Sequence, residues 1–401
     1  MSGGKSAVFR FVVLGLLLLC WFLAEAAAMG TEKYSEGVSV KKTKGTWTYE
    51  EAEFIRQEEQ KQEFPASCTF WGEREEEYLE SRKLERVETA FVLEVLGETR
   101  GLLPASAPLY GEDEESCLLS EDMAYKLFGS KDVMGEEILY RGRILTVRGI
   151  LRGMEGTAAV QAVREGDSVL DTIAYEANTE VQSSENPVQA FLLRHAIQGK
   201  VLERKYFAAC AKLLILCLPV VIFLRMAGQI TGIMRAQRGR RIQTAALWAV
   251  MILMTVLFFM LFWKSPGLTR DVVPTKWSDF TFWKHMTQQI QDNFKLLLQT
   301  KKTSLELLVL RPFFSCLIYG VLTWGLYAVR CRTQKKAGAG ETAAGILFSW
   351  ILLLVTICFA GENALLLAGQ KSVWFGPCFW LIGEYAMERM QVSYKNKINS
   401  Y

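Results

Sequence analysis

The chain has 401 residues, of which 50% are hydrophobic and 22% charged, and its formal net charge is +3. A mean hydropathy of +0.13 is high for that charge content and excludes a uniformly soluble protein. Residues 29–205 contain 34 acidic and 22 basic residues, a net charge of −12, so the remainder carries +15. The sequence therefore predicts an acidic soluble domain joined to a basic, apolar remainder.

Five apolar runs are long enough to cross a bilayer as helices, which takes about 20 residues. They lie at 8–28, 207–226, 243–263, 311–330 and 343–361. The first run also fits a cleaved secretory signal, because a basic start precedes it and small residues follow. We expect it to be retained as a membrane helix. A further run, Val373–Ile382, is too short alone and is a re-entrant piece, an interfacial helix or part of a sixth span over about 364–385.

Basic residues after the second and fourth runs give the orientation, because cytoplasmic connections are enriched in Lys and Arg. They are Arg235, Arg238, Arg240 and Arg241, then Arg330, Arg332, Lys335 and Lys336. We therefore expect a multi-pass plasma-membrane protein with residues 29–205 and the loop 264–310 outside. The side of the C-terminus stays open.

Two helix-start signals lie within the outer domain, one near each end. Thr48-x-x-Glu51 is a capping box and predicts a surface helix to about Glu63. Asn186-Pro187 is a second helix start, after which helical periodicity reaches Phe207 with no clear stop apart from a glycine. This predicts one long helix that enters the second span; the alternative is a flexible joint at Gly199.

The loop 264–310 is aromatic-rich, with Trp277, Phe280 and Trp283 at helical spacing. It predicts an amphipathic segment on the outer membrane face, or one packed against the soluble domain or a partner. Earlier in the chain, Cys68–Trp71 and Thr89–Leu96 are predicted strands. The charged segment between them is a strand extension or a helix.

The most informative stretch is 117–151. Ser120 suits a helix N-cap, Gly129 suits a left-handed C-cap, and Gly135 marks a further turn. Residues after Glu137 alternate as two strands around Arg141-Gly142, which predicts a β-hairpin.

This order of elements resembles the MacB-type periplasmic core domain of FtsX-like ABC transporter permeases. The matching positions, which serve shape rather than chemistry, are Ser120, Leu127, Phe128, Gly129, Gly135 and Gly149. The resemblance implies an α-helical transmembrane bundle of about five, or six, spans with an α+β extracytoplasmic domain inserted after the first. The predicted divisions are 1–28, 29–205 and 206–401.

The same resemblance implies a permease-like subunit, a divergent one, that couples a separate cytoplasmic ATPase to the outer domain and works as a homo- or heterodimer. Gly232-Ile-Met-Arg235-Ala, followed by Arg240 and Arg241, is similar to the helix by which such permeases dock on the ATPase. The alternative for these residues is a basic topogenic loop. The alternative function is a non-transporting membrane sensor or scaffold that uses the same outer domain.

Other chemistry is sparse. The two histidines, His195 and His285, are too few and too far apart for most metal or nucleophilic sites, and no G-x-x-x-x-G-K-[ST] motif is present. We expect no enzyme activity, no cofactor, no metal and no nucleic-acid partner. Of nine cysteines, Cys68 and Cys117 alone fall in the outer domain, where they form a disulfide or remain two free core thiols.

Overall fold

The computed structural model describes residues 2–34, 37–63, 65–104, 106–164, 167, 169–176, 187–236, 241–262, 280–299, 302–333 and 338–398. These residues form two compact units. The membrane unit takes in the described residues within 1–30, 208–275 and 312–401. The sheet unit takes in those within 31–207 and 276–311.

Helices and strands are segregated along the chain, with the strands in the first half. In chain order they are α1 (Ser2–Lys33), β1 (Val38–Lys42), α2 (Tyr49–Gln60), β2 (Ser67–Ser81), β3 (Val87–Leu96), β4 (Ser116–Ser120), α3 (Glu121–Phe128), β5 (Glu137–Tyr140), β6 (Arg143–Leu151), β7 (Thr157–Gln161), β8 (Thr172–Glu176), α4 (Pro187–Arg194), β9 (Gly199–Glu203), α5 (Lys205–Ala236), α6 (Arg241–Phe262), α7 (Phe280–Gln299), α8 (Ser304–Thr333), α9 (Ala339–Phe359), a short 3₁₀ turn (Gly361–Asn363), α10 (Ala364–Gly369) and α11 (Lys371–Ile398).

Within the described residues, five helices are long and apolar enough to cross a membrane. They are Val8–Lys33, Lys205–Arg235, Thr244–Phe262, Ser304–Thr333 and Ala339–Phe359. They coincide with the five predicted runs, so the predicted membrane-protein fold class is confirmed and the chain is a multi-pass membrane protein. The short run Val373–Ile382 lies inside α11, which is not among these five.

The membrane unit packs around α1. Leu17, Leu18 and Phe22 on this helix are completely buried. At the end of α8, Arg330 donates to Glu384 on α11 over 3.0 Å, and its guanidinium lies 4.9 Å from the centre of the Trp380 ring. This ion pair and cation–π contact join two helices in a region of low polarity.

The sheet unit contains one nine-stranded sheet in the order β3-β7-β4-β6-β5-β2-β8-β1-β9. The long strand β2 also pairs antiparallel with β3, so six strands from β3 to β2 close into a ring. The strands β8, β1 and β9 extend the sheet beyond β2. The charged segment after Trp71 is thus the strand extension of the two predicted alternatives.

The stretch 117–151 folds as a helix and a hairpin, as predicted. Gly129 ends α3 with φ +73°, a left-handed C-cap, and Arg141-Gly142 turns between β5 and β6 with both φ values positive. Ser120 occupies the N-cap position without a side-chain cap bond. Its Oγ instead accepts from the Thr157 amide over 3.0 Å, which ties the start of α3 to β7.

The predicted continuous helix from Asn186 to Phe207 is wrong. Asn186 lies outside the described residues, and α4 ends at Arg194. Ala196 has φ +51°, which breaks the helix, and the chain then forms β9 antiparallel to β1. The physical reason is non-local: the residues from Gly199 gain backbone hydrogen bonds to the exposed edge of β1, which a helix would leave open.

Of the two alternatives for Cys68 and Cys117, the structure shows two free thiols and not the disulfide. Cys68 on β2 packs with Phe70 and Tyr175, whereas Cys117 on β4 packs in a different cluster with Leu127 and other side chains of the ring. Burial raises the pKa of each thiol to about 12. Both cysteines are therefore protonated core residues, the second of the two predicted alternatives.

Candidate functional site

The candidate site is the part of the sheet unit where the chain meets the ends of three candidate spans. Lys33 ends the first span, Lys205 begins the second, and Ser304 begins the fourth. A set of polar side chains lies around these ends and the neighbouring strands, and we call it the span-end junction. It consists of Ser39, Glu73, Glu203, Arg204, Tyr206, Gln289, Asn293, Thr303 and Glu306.

Arg204 is the central residue of the span-end junction. It directly follows β9, is only 6% exposed, and its Nη2 donates to Ser39 Oγ on β1 over 2.6 Å. The bond connects residues 165 positions apart at the start of the second span. A charged donor makes this a strong hydrogen bond.

Burial lowers the pKa of Arg204 to about 10, and the Glu306 carboxylate opposes the shift. The guanidinium is therefore still charged at neutral pH. Because its pKa is lower in the folded chain than in the unfolded one, the burial cost is present at neutral pH and is relieved only as pH rises above about 10. The charged form of Arg204 is therefore less favourable in the folded chain than in water, and the bond to Ser39 offsets part of that cost.

Helix α7, from the loop after the third span, packs on β9 and the start of α5. The Glu203 amide donates to Asn293 Oδ1 over 3.3 Å, and the Tyr206 hydroxyl donates to Gln289 Oε1 over 2.6 Å. The rings of Phe207 and Phe294 meet edge to face at 5.2 Å. Of the predicted alternatives for this loop, packing against the soluble domain is therefore the one observed. Trp277 lies outside the described residues.

The start of α8 is fixed to β2. Thr303 and Glu306 form a reciprocal capping box, each side chain accepting from the other's amide over 3.3 Å. The next amide, Ser304, donates to Glu73 Oε2 on β2 over 2.7 Å. An acceptor at a helix N-terminus also complements the helix dipole. The start of the second span is thus joined to β1, the start of the fourth span is joined to β2, and α7 is joined to β9, through polar contacts.

The predicted ATPase-coupling residues are only partly described. Gly232 and Arg235 lie in the last turns of α5, Arg240 lies outside the described residues, and Arg241 begins α6. The role of these residues in binding an ATPase stays a prediction. Helix α5 has 32 residues and is about 48 Å long at 1.5 Å per residue. One helix therefore contains both Lys205, next to Arg204, and Arg235.

One buried carboxyl group lies inside a candidate span. Glu25 lies in the first span and is only 4% exposed. Nearby in the membrane unit, Asn363 Nδ2 donates to the Ala26 carbonyl over 3.2 Å. A carboxyl group at such a position is a functional candidate, because ionisable groups are expensive in a bilayer. A search for single charges inside each run would have found it.

Comparison with known proteins gives similarities of structure. No family model matches the sequence, and no curated protein matches it. The crystal structure of the periplasmic region of MacB from Actinobacillus actinomycetemcomitans matches with 13% identity and a TM-score of 0.35, over 43% of this chain and 90% of that one. The extracellular domain of the noncanonic ABC-type transporter YknZ from Gram-positive bacteria matches with 11% identity and a TM-score of 0.29, over 41% of this chain and 97% of that one.

The chain contains a domain similar to that of MacB. In the structure, an added Cβ at Gly149 would lie 2.5 Å from the Ala107 Cβ, so this glycine is required by space.

Proposed function

We propose that the chain is a permease-like subunit of an ABC transporter system in a plasma membrane, with the sheet unit outside the cell. It couples a separate cytoplasmic ATPase to that unit and has no catalytic activity of its own. The observation that carries the proposal is α5, a single helix that begins beside the buried Arg204 and ends with the Gly232-x-x-Arg235 segment.

The contacts of the span-end junction supply the mechanical step. A displacement of α5 by an ATPase acts on Arg204 and Glu203, which pull on Ser39 of β1 and Asn293 of α7. Helix shifts of about 1–2 Å are typical of such transitions. Because β1 and β9 pair along their whole length, the displacement reaches the sheet as a unit. Pro219, inside α5, removes one helical hydrogen bond and allows the helix to bend.

The resemblance to FtsX-like permeases also supports a dimer of permease chains and one ATPase partner. The basic charge near Arg235, Arg240 and Arg241 suits an acidic surface on such a partner. Loops that only set membrane topology are basic too, so charge alone does not distinguish an ATPase-docking site from a topogenic loop. Two matched triple variants distinguish them.

We expect the full chain, extracted in mild detergent, to co-purify with an ABC ATPase. Replacing Arg235, Arg240 and Arg241 by Gln reduces the bound ATPase by roughly tenfold or more, since each charge-assisted contact contributes about 1.5–3 kcal/mol. The control replaces Arg332, Lys335 and Lys336, the other basic connection, by Gln and keeps the ATPase.

Quantitative mass spectrometry of the purified complex measures the ratio of the two chains. If the native chain retains no ATPase, the transporter function is wrong and the sensor or scaffold alternative replaces it. Equal loss in both triple variants would show a general effect of charge rather than a docking site.

A further inference from the structure

A cavity of about 410 Å³ lies within the sheet unit. Its volume falls in the range of about 300–1,000 Å³ that is usual for small-molecule sites. Five charged side chains line it, together with Tyr34 and Ser67: Lys33, Glu98, Arg100, Glu176 and Arg204. The remainder of the lining is small or apolar. We name this cavity the edge pocket.

Three of the charged side chains are cationic and two are carboxylates, so the lining suits a ligand with both signs of charge. Arg204 presents a planar fork of five N–H donors, one of which binds Ser39. Such a fork fits the oxygens of a phosphate group. The carboxylates of Glu98 and Glu176 would repel a doubly charged phosphate monoester and would attract an ammonium group.

The position of the edge pocket in the chain points to a lipid source. Lys33 is the last residue of the first candidate span, and Arg204 immediately precedes the second. Tyr34, which is 8% exposed, follows the first span directly. Lys, Arg and Tyr at the ends of spans lie at the depth of the lipid headgroups. A headgroup could therefore enter the pocket while its acyl chains remain in the bilayer.

We propose that the edge pocket binds a zwitterionic phosphodiester headgroup with a primary ammonium, of the phosphoethanolamine type. Arg204, Arg100 and Lys33 bind the phosphodiester, and Glu98 and Glu176 accept hydrogen bonds from the ammonium. A quaternary ammonium has no N–H to donate, so the pocket discriminates against phosphocholine. An anionic headgroup without the ammonium leaves the two carboxylates unpaired. The site does not depend on the transporter function.

The test reconstitutes the full chain in bilayers with equal mole fractions of phosphatidylethanolamine, phosphatidylcholine and phosphatidylglycerol. Native mass spectrometry then counts the lipids retained after mild extraction. We expect phosphatidylethanolamine to be retained about tenfold over the other two, because both of its charges are paired. Equal retention of phosphatidylcholine would overturn the ammonium contact, and equal retention of phosphatidylglycerol would overturn the zwitterion.

Two exposed residues give variants that leave the fold intact. Arg100→Gln and Glu176→Gln should each abolish the preference, whereas Arg164→Gln and Glu112→Gln, at exposed positions that do not line the pocket, should keep it. An unchanged preference in both pocket variants overturns the site. A last arm adds soluble glycerophosphoethanolamine to phosphatidylcholine bilayers. Binding as strong as that of the lipid would support the headgroup chemistry and overturn the lipid source.

Discussion

Gly72→Ala is expected to destabilise the sheet unit by about 3–4 kcal/mol, because a methyl group there overlaps backbone. An added Cβ would lie 1.4 Å from the Val169 carbonyl oxygen and 2.6 Å from its carbon. Gly72 on β2 pairs with Glu94 on β3, and the Val169 amide donates to Glu94 Oε2 over 3.1 Å, so neither side can move without losing hydrogen bonds. Hydrogen exchange of the β2 and β3 amides in the full chain measures the loss of opening free energy.

Gly142→Ala is the control for this substitution. Gly142 has φ +80°, and an added Cβ meets no atom within 4 Å. The substitution therefore introduces backbone strain without a clash, at a cost of about 1–2 kcal/mol. If the two variants lose the same opening free energy, the close approach at Gly72 does not matter and the packing described here is wrong.

Glu94→Ala is the second change with a large expected effect. The Glu94 side chain is 9% exposed and accepts from Arg74 Nε over 2.8 Å, from the Tyr140 hydroxyl over 3.3 Å and from the Val169 amide over 3.1 Å. Among the described residues, its removal leaves Arg74, 11% exposed, with the exposed Asp167 at 3.9 Å as its ion-pair partner. Breaking a buried pair in this way costs about 3–5 kcal/mol.

The double variant Arg74→Met with Glu94→Leu provides the comparison. Replacing both partners of a buried ion pair by apolar groups is often neutral, so we expect most of the lost stability to return. Hydrogen exchange of the β3 amides compares the opening free energy of the native chain, the Glu94→Ala variant and the double variant. If Glu94→Ala lowers the opening free energy by less than about 1 kcal/mol, the buried network is contradicted, because an exposed ion pair contributes no more than that to stability.

The features that the sequence predicts well are local. Each span is an apolar run of sufficient length, and the C-cap at Gly129 is determined by a residue that tolerates positive φ. The sequence past Trp71 does not distinguish a strand from a helix, because its charged residues fit either. Pairing with β3 decides between them.

The features that the sequence misses depend on distant partners. Strand β9 forms because β1, some 160 residues earlier in the chain, offers a free edge, while the local pattern around Leu202 also fits a helix. The bond from Arg204 to Ser39 has no local signal at all. Glu25 gives no clear signal in the sequence, because one carboxyl group barely lowers the mean hydropathy of a long apolar run. Cys68 and Cys117 share a compartment, but their strands place them in different clusters.

The proposed function requires that a displacement of α5 reaches β1 and β9 through Arg204. Hydrogen exchange of the β9 segment, Gly199–Glu203, measured in a complex with the proposed ATPase, tests this requirement. The account predicts that exchange in β9 and β1 changes several-fold between the ATP-bound and ADP-bound states, since local opening follows the contacts of Arg204. Ser39→Ala, which removes the acceptor of Arg204, should reduce this difference. Identical exchange in both nucleotide states, with the ATPase turning over, would contradict the account.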